Sequence, residues 1–304
     1  MIGRVAPPFS TRRLALQLLA QGVRDPRTLR ARVNAHNLRE WRIYRRTEAR
    51  CNLCGHVGTL RYDLPDLETF ARHHIRPLRE TLRCRGCHAK MRDRVLAAGL
   101  LDALAARGVH AETIDELAGR IPADLRILDT DAHSRIARRL RDHPGLTRSL
   151  YLPGKVNGEM LDDERMLNVD LEQMPFDDGT FDVVITSEVM EHVRHVDTAH
   201  REIARCLAAD GVYLFTVPYD AGLASTWVLI DPETDEELVS PPHIHGDPMI
   251  REAGIKAYRV FGRDIVDDLA GAGLRAAFSP VDRPEAGIFE GDLFVATPAV
   301  SRVG

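Results

Sequence analysis

Lysine is almost missing from this 304-residue chain. Lys90, Lys155 and Lys256 are the only three, and arginine supplies the rest of the 41 basic side chains. That bias reads as genome base composition and carries no functional signal. Long apolar runs are missing too. No stretch approaches the roughly 20 residues a helix needs to cross a bilayer. The run LALQLLA (14–20) is too short for a signal-peptide core and leads into polar sequence. These gaps predict a cytoplasmic protein with no membrane partner. Internal repeats and low-complexity tracts are absent. Cysteine is scarce: of five, four form two Cys-x-x-Cys pairs, which fits metal ligation in a reducing compartment better than disulfides.

A 44% hydrophobic composition over this length provides for one good-sized core and a smaller appendage. The net charge is −4, so the chain as a whole is no polycation. The first fifty residues differ. Twelve arginines there face three acids (Asp25, Glu40, Glu48), a balance of +9. Such an arm suits nucleic acid or an anionic partner, and equally a solvated helix face or docking arm.

Apolar spacing predicts helix over 11–49, broken at Asp25-Pro26, and again over 91–118, ending near Gly108. Between them lie the cysteines, among short polar turns. From Asp124 onward, strands and helices alternate. Strands are expected at 125–129, 146–152, 181–186, 211–217 and 292–297, and helices at 134–141, 197–208 and 261–272, with Gly211 as the stop after 197–208. Alternation of this kind predicts a mostly parallel sheet covered on both faces. The expected division is a basic helical arm (1–50), a small metal module with a linker helix (51–120) and an α/β domain (121–304).

Cys51-Asn-Leu-Cys54 and Cys84-Arg-Gly-Cys87 stand 29 residues apart. Each pair can bend into a knuckle, and two knuckles make a tetrahedral four-sulfur site for a structural Zn2+. Four protein ligands leave no open position, so this metal is expected to fold the module and do no chemistry. A thioredoxin-type redox pair would stand singly at a helix start. Cys206, on an apolar helix face, reads as a small core residue.

The stretch from Asp170 to Asp182 (DLEQMPFDDGTFD), the buried strand FDVVIT and the segment Ser187-Glu-Val-Met-Glu-His192 together resemble the central half of a class I S-adenosylmethionine (SAM) dependent methyltransferase. The resemblance covers about residues 124–298. It implies a Rossmann-like, doubly wound, mostly parallel seven-stranded sheet and a SAM site. It places Asp170 and Leu171 at the adenine, Asp129, Thr130 and Asp131 in the first cofactor loop, and Ser187 and Glu188 beside the methionine part. His192 becomes the candidate general base, since imidazole titrates near neutral pH. Tyr219, His243 and His245, in the long excursion after the fifth strand, are the candidate acceptor-binding residues. The chain departs from the family at two places. The family's Gly-x-Gly-x-Gly turn is Asp129-Thr-Asp131-Ala-His133 here, and the acid expected after strand two is replaced by Ser149-Leu-Tyr-Leu152. The cysteine pairs, with Arg79-Glu-Thr-Leu82 before the second pair and Arg92-Asp-Arg94 after it, resemble bacterial methyltransferases with an amino-terminal zinc module and an irregular first loop.

Three functions follow as readings. The first is methyl transfer from SAM to a small molecule or glycan. The second is an RNA methyltransferase that uses the arm and the zinc module. The third is a scaffold that kept the fold and lost the cofactor. The sequence leaves the oligomeric state open.

Overall fold

The computed structural model describes residues 39, 42–63, 77–131, 134–161, 166–239, 244–245 and 254–299. Most of the basic arm therefore lies outside the described residues. At its end, where helix is expected to reach 49, Glu48–Arg50 is instead strand β1, paired antiparallel with β2 (Val57–Thr59) across the first cysteine knuckle. The module continues with β3 (Arg61–Tyr62), helix α1 (Pro77–Thr81) and β4 (Leu82–Arg83), the two strands being paired. Helix α2 (Met91–Ala105) and short α3 (Ile114–Ala118) follow. Gly108, at φ +83°, closes the first of these, as its position suggests.

The α/β part runs β5 (Ile127–Asp129), α4 (Arg135–Arg139), β6 (Leu146–Leu150), β7 (Met166–Asn168), β8 (Phe181–Ser187), α5 (Val196–Cys206) and β9 (Leu207–Thr216). A small excursion holds β10 (Trp227–Val228), β11 (Ile244–His245), β12 (Ile255–Lys256) and β13 (Arg259–Val260). Then come α6 (Ile265–Gly271), β14 (Leu274–Phe278), the hairpin β15 (Val281–Arg283) and β16 (Ile288–Gly291), and β17 (Phe294–Pro298). Seven strands form one sheet in the order β14-β17-β9-β8-β5-β6-β7. Strands β7-β6-β5-β8-β9 are parallel, and β17 enters antiparallel between β9 and β14. The parallel five have the 3-2-1-4-5 order of doubly wound folds, whose ligands sit where the order reverses. Here that point is the carboxyl end of β5 and β8.

Strand β8 shows why the sequence folds this way. Its near-continuous apolar run is buried on both faces, as a central parallel strand requires. Val183 and Ile185 point to one face, with Ile127 and Leu214, against the cysteine module and α2. Val184 points to the other, with Tyr213, Phe215 and Phe294, against α5 and α6. The first core is continuous from Tyr44, Leu53 and Leu82 through Leu100 to Leu293, so residues on both sides of positions 50 and 120 share it. Cys206 is fully buried in the second, as expected of a core residue.

Two boundaries move. Helix α5 ends at Cys206, not 208, and β9 begins at once with Leu207. The register then jumps from Phe181↔Leu207 to Val183↔Val212, so 208–211 form a bulge. Gly211 belongs to that bulge rather than to a helix stop. A Cβ there would meet the Ala208 carbonyl oxygen at 2.9 Å.

Arg94 joins the module to the carboxy-terminal hairpin. It is fully buried, and its guanidinium donates to the carbonyls of Ala89 (2.8 Å), Leu82 (3.3 Å) and Gly287 (2.8 Å), while its own carbonyl accepts from Asn52 Nδ2 at 2.8 Å. It thereby ties the second knuckle, β4, the first knuckle and the carboxy-terminal hairpin together. Arg94→Met keeps much of the volume but strands three buried acceptors. Urea denaturation should show a loss of about 2–4 kcal/mol, and a loss below about 0.5 kcal/mol would show that these bonds hold nothing.

Candidate active site and four-cysteine centre

The two knuckles repeat one backbone pattern. Cys51 N–H donates to the His56 carbonyl and Gly55 N–H to the Cys51 carbonyl; Cys84 N–H donates to Ala89 and His88 N–H to Cys84. The fourth position after each leading cysteine needs a left-handed backbone. Gly55 supplies it at φ +69° and His88 at φ +60°. His88 thus has a backbone role, and its ring is not part of the sulfur group. The four sulfurs lie within 4.8 Å of one another. Cys51–Cys87 and Cys54–Cys84 are each 3.8 Å apart. That is the edge of a tetrahedron whose centre stands about 2.3 Å from each sulfur, the zinc–thiolate distance. The donor set and its spacing fit a structural metal.

From this module a charged network reaches the sheet. Glu80 accepts from Lys90 Nζ at 2.6 Å and pairs with Arg92 Nε at 3.1 Å and Arg79 Nε at 3.8 Å. Burial alone would raise the Glu80 pKa, but Arg92, Lys90 and Arg79 pull it down to about 2. Arg79 is buried and leaves its own module. One terminal nitrogen donates to the Val217 carbonyl at 2.8 Å, and the other pairs with the carboxylate of Glu188. Both targets sit just past the carboxyl ends of β9 and β8. Glu188 has φ +55°, a backbone conformation costly for a side chain of this kind, and the Arg79 pair holds it there.

The first loop is organised by Asp129, the last residue of β5. Its fully buried carboxyl accepts from Asp131 N–H (3.0 Å) and Ser134 Oγ–H (2.6 Å). Ser134 Oγ in turn caps α4 by accepting from Ala137 N–H at 2.8 Å. Burial and then the neighbouring Asp131 push the Asp129 carboxyl up to about 8. Thr130 is buried, with N–H and hydroxyl both directed to the Ile185 carbonyl of β8. Asp129, Thr130, Asp131, Ser187 and Glu188 thus come together at adjacent strand ends, as the sequence suggests, although Glu188 turns to Arg79.

Asp170 and Leu171 follow β7, two strands away, or about 10 Å across the sheet. Asp170 accepts from Glu172 N–H through Oδ1 at 2.9 Å, and its own N–H donates to Asn157 Oδ1 at 2.9 Å. Asn157 and buried Asn168 fix the loop after β6; neither was singled out by the sequence reading. Glu159, one of the acids near the missing strand-two acid, accepts from Val156 N–H in its own loop.

His192 lies in the turn after β8, with its side chain 16% exposed. Nδ1 stands 2.7 Å from the Lys256 carbonyl, so it carries the proton and leaves Nε2 as the ring's acceptor. Nε2 is 3.6 Å from the buried carboxyl of Glu191, which burial and then Glu188 raise well above the usual range. The excursion clamps this turn. Tyr258 N–H donates to the Glu191 carbonyl, and the Arg259 guanidinium donates to the carbonyls of Met190, Val193 and Arg194. Arg259 was missed because nothing in its local sequence points to a turn 65 residues earlier. Tyr219 packs its ring on Phe278 and Phe294 at 5.1 and 5.2 Å, in an aromatic cluster. His245 pairs by its backbone with Ile255, and His243 lies outside the described residues.

Residues 151–215 match the family described as Methyltransferase domain. The match begins past the irregular first loop and includes Asp170 and the turn bearing His192. A malonyl-[acyl-carrier protein] O-methyltransferase of Geobacter sulfurreducens is 30% identical over 141 residues, 43% of this chain and 47% of that protein, so the chain spans about half the length of this curated relative. Among solved structures, a sugar N-methyltransferase from a Streptoalloteichus species shows 16% identity and a TM-score of 0.38, covering 66% of this chain and 93% of the other. An S-adenosylmethionine dependent methyltransferase from Mesorhizobium loti shows 16% identity and a TM-score of 0.36, covering 58% and 92%. Residues 151–215, which match the methyltransferase domain family, thus lie within a Rossmann-like, doubly wound sheet, with a four-cysteine group built against one face of it.

Proposed function

We propose that the protein transfers a methyl group from SAM to a small-molecule or glycan acceptor, with a structural zinc on Cys51, Cys54, Cys84 and Cys87. The observation that carries this reading is the meeting of the Asp129–Asp131 loop and the Ser187–His192 turn at the switch point of a methyltransferase sheet. When bound, SAM supplies a methyl group on a cationic sulfur, open to in-line displacement. The chain's own groups fit the rest of that molecule. Asp170 Oδ2 and the Leu171 N–H have no partner among the described residues, so a carboxylate oxygen and a backbone donor are available for an adenine edge.

His192 is the proposed general base. Its tautomer is fixed by Lys256, and Nε2 can take a proton from an acceptor hydroxyl or amine. Burial, and then Glu188, push the Glu191 carboxyl well above its usual range, which weakens its pull on a proton at the imidazole. The excursion braced over this turn favours a discrete acceptor. The RNA reading loses one of its cations, because Arg50 is paired with Glu112 and Glu116.

Calorimetric titration of the metal-replete protein with S-adenosylhomocysteine should show micromolar binding, weakened about tenfold or more in Asp170→Ala. His192→Ala should bind as wild type and lose about 100-fold in turnover with an acceptor found by labelled-methyl screening. No binding at millimolar concentration by folded protein would leave only the scaffold reading.

Metal analysis should give one zinc per chain. Cys84→Ser should lower both zinc content and the melting temperature, because structural metal binding is coupled to folding. Stoichiometric folded protein without metal would end the zinc assignment.

Asp129 gives a pH test. Its folded pKa, about 8, lies above the ordinary aspartate value near 4. The native state therefore holds the extra proton between those values, and stability falls as pH rises through that window, then levels. Asp129→Asn should remove the slope, so its advantage in melting temperature should widen from pH 5 to pH 8. Parallel curves for the two proteins would show that Asp129 is ionised throughout.

A further inference from the structure

A glycine-lined first loop would offer backbone N–H groups to the cofactor. In this chain the described ones are already engaged. Thr130 N–H donates to Ile185, Asp131 N–H to the Asp129 carboxyl, and Ser134 N–H to the Asp131 carbonyl at 2.8 Å. The loop also carries the Asp131 carboxylate, which repels an anion. Any carboxylate entering the crevice between β5 and β8 therefore needs a cation from elsewhere.

One is at hand. Arg92, in the first turn of α2, is 19% exposed and meets Glu80 through Nε alone. Its two terminal amino groups take no partner among the described residues. Burial works against its charge, but Glu80, Glu188, Asp93 and Asp131 outweigh it and raise its pKa. Two of those four, Asp131 and Glu188, are the residues just past β5 and β8, and Arg79, which shares Glu80 with Arg92, is itself paired with Glu188, so the guanidinium is placed beside the crevice. The other two cations of the network are already used, Arg79 by Val217 and Glu188 and Lys90 by Glu80.

We propose that Arg92 holds the carboxylate of the cofactor's methionyl group through its free terminal amino groups, in place of the glycine-lined turn the first loop lacks. A planar guanidinium with two parallel donors matches a carboxylate in bidentate fashion. The zinc module thereby contributes a cofactor-binding residue to the α/β site. This inference rests on the proposed SAM reading.

The test compares two ligands by calorimetry. S-adenosylhomocysteine carries the carboxylate; 5′-methylthioadenosine has the same nucleoside and sulfur without it. Arg92→Gln should weaken S-adenosylhomocysteine about 10–100-fold, the worth of charge-assisted hydrogen bonds, and leave methylthioadenosine unchanged. Arg92→Lys, which keeps the charge and the Glu80 pair, should fall between and guards against a variant that does not fold. Zinc content and melting temperature serve as folding controls. Equal weakening of both ligands would show a merely structural arginine, and unchanged affinity for both would place the carboxylate elsewhere; either result overturns the proposal while the SAM reading stands. Wild type binding neither ligand would overturn both.

Discussion

A guanidinium buried as fully as Arg94, with no carboxylate in ion-pair contact among the described residues, has to place its N–H groups on carbonyl oxygens and find compensating charge nearby. The structure meets both demands. Three carbonyls from three separate segments converge on it, although Nε finds no hydrogen-bond acceptor among the described residues. Burial lowers its pKa, and Cys51, Cys84, Asp93 and Cys87 act in the opposite direction. A divalent ion on four thiolates would carry a net charge of about −2, so the metal proposed for the sulfur group would supply counter-charge to the buried arginine. The knuckles, β4 and the carboxy-terminal hairpin are registered on Arg94.

The consequences run along two helices. From α1, Arg79 crosses to the carboxyl edge of the sheet and holds Glu188 in a left-handed conformation. A non-glycine residue in that region costs about 1–2 kcal/mol, and such strain persists only where the surroundings over-determine it. From α2, Arg92 meets Glu80, which lies between the two arginines. The opposite side of the turn is fixed by Arg259 and the Lys256 carbonyl. The segment bearing His192 is thus gripped from two directions by groups distant in sequence, which is how a loop keeps the precision of a rigid element.

Much of this was legible in the sequence where one local rule dominates. The Cys-x-x-Cys spacing located the sulfur group because knuckle geometry is set within four residues. FDVVIT announced a buried strand of a parallel sheet because burial on both faces leaves no polar alternation. Other features failed for identifiable reasons. Gly211 follows a helical run and so imitates a helix stop, but the β8–β9 register, a tertiary property, makes it part of a bulge. Glu188 was expected at the cofactor, and the residue that turns it away lies 109 positions upstream. Asn157 and Arg259 act through backbone groups far along the chain, so their own neighbourhoods carry no sign of it. The run from Arg79 to Arg94 was visible as a pattern, but only the fold shows that it faces the sheet edge.

An exchange of backbone donors for a side-chain cation changes what the site depends on. Glycine-loop N–H groups are neutral dipoles fixed by one strand and one helix, so such a site needs only its own α/β unit. A guanidinium needs its charge held in position, and here Glu80, Lys90 and the α2 turn do that, all within a few residues of the second knuckle. The first loop gains in return. With Asp129 satisfying Asp131 and Ser134 internally, it can be rigid without glycine and avoids the conformational entropy glycine loses on folding. On this arrangement the four-cysteine module cannot be separated from the methyltransferase domain, although the metal it is proposed to hold has no open position and touches no substrate. The domain shares its core with the module, and Arg79 of the module reaches Val217 and Glu188 at the carboxyl ends of β9 and β8.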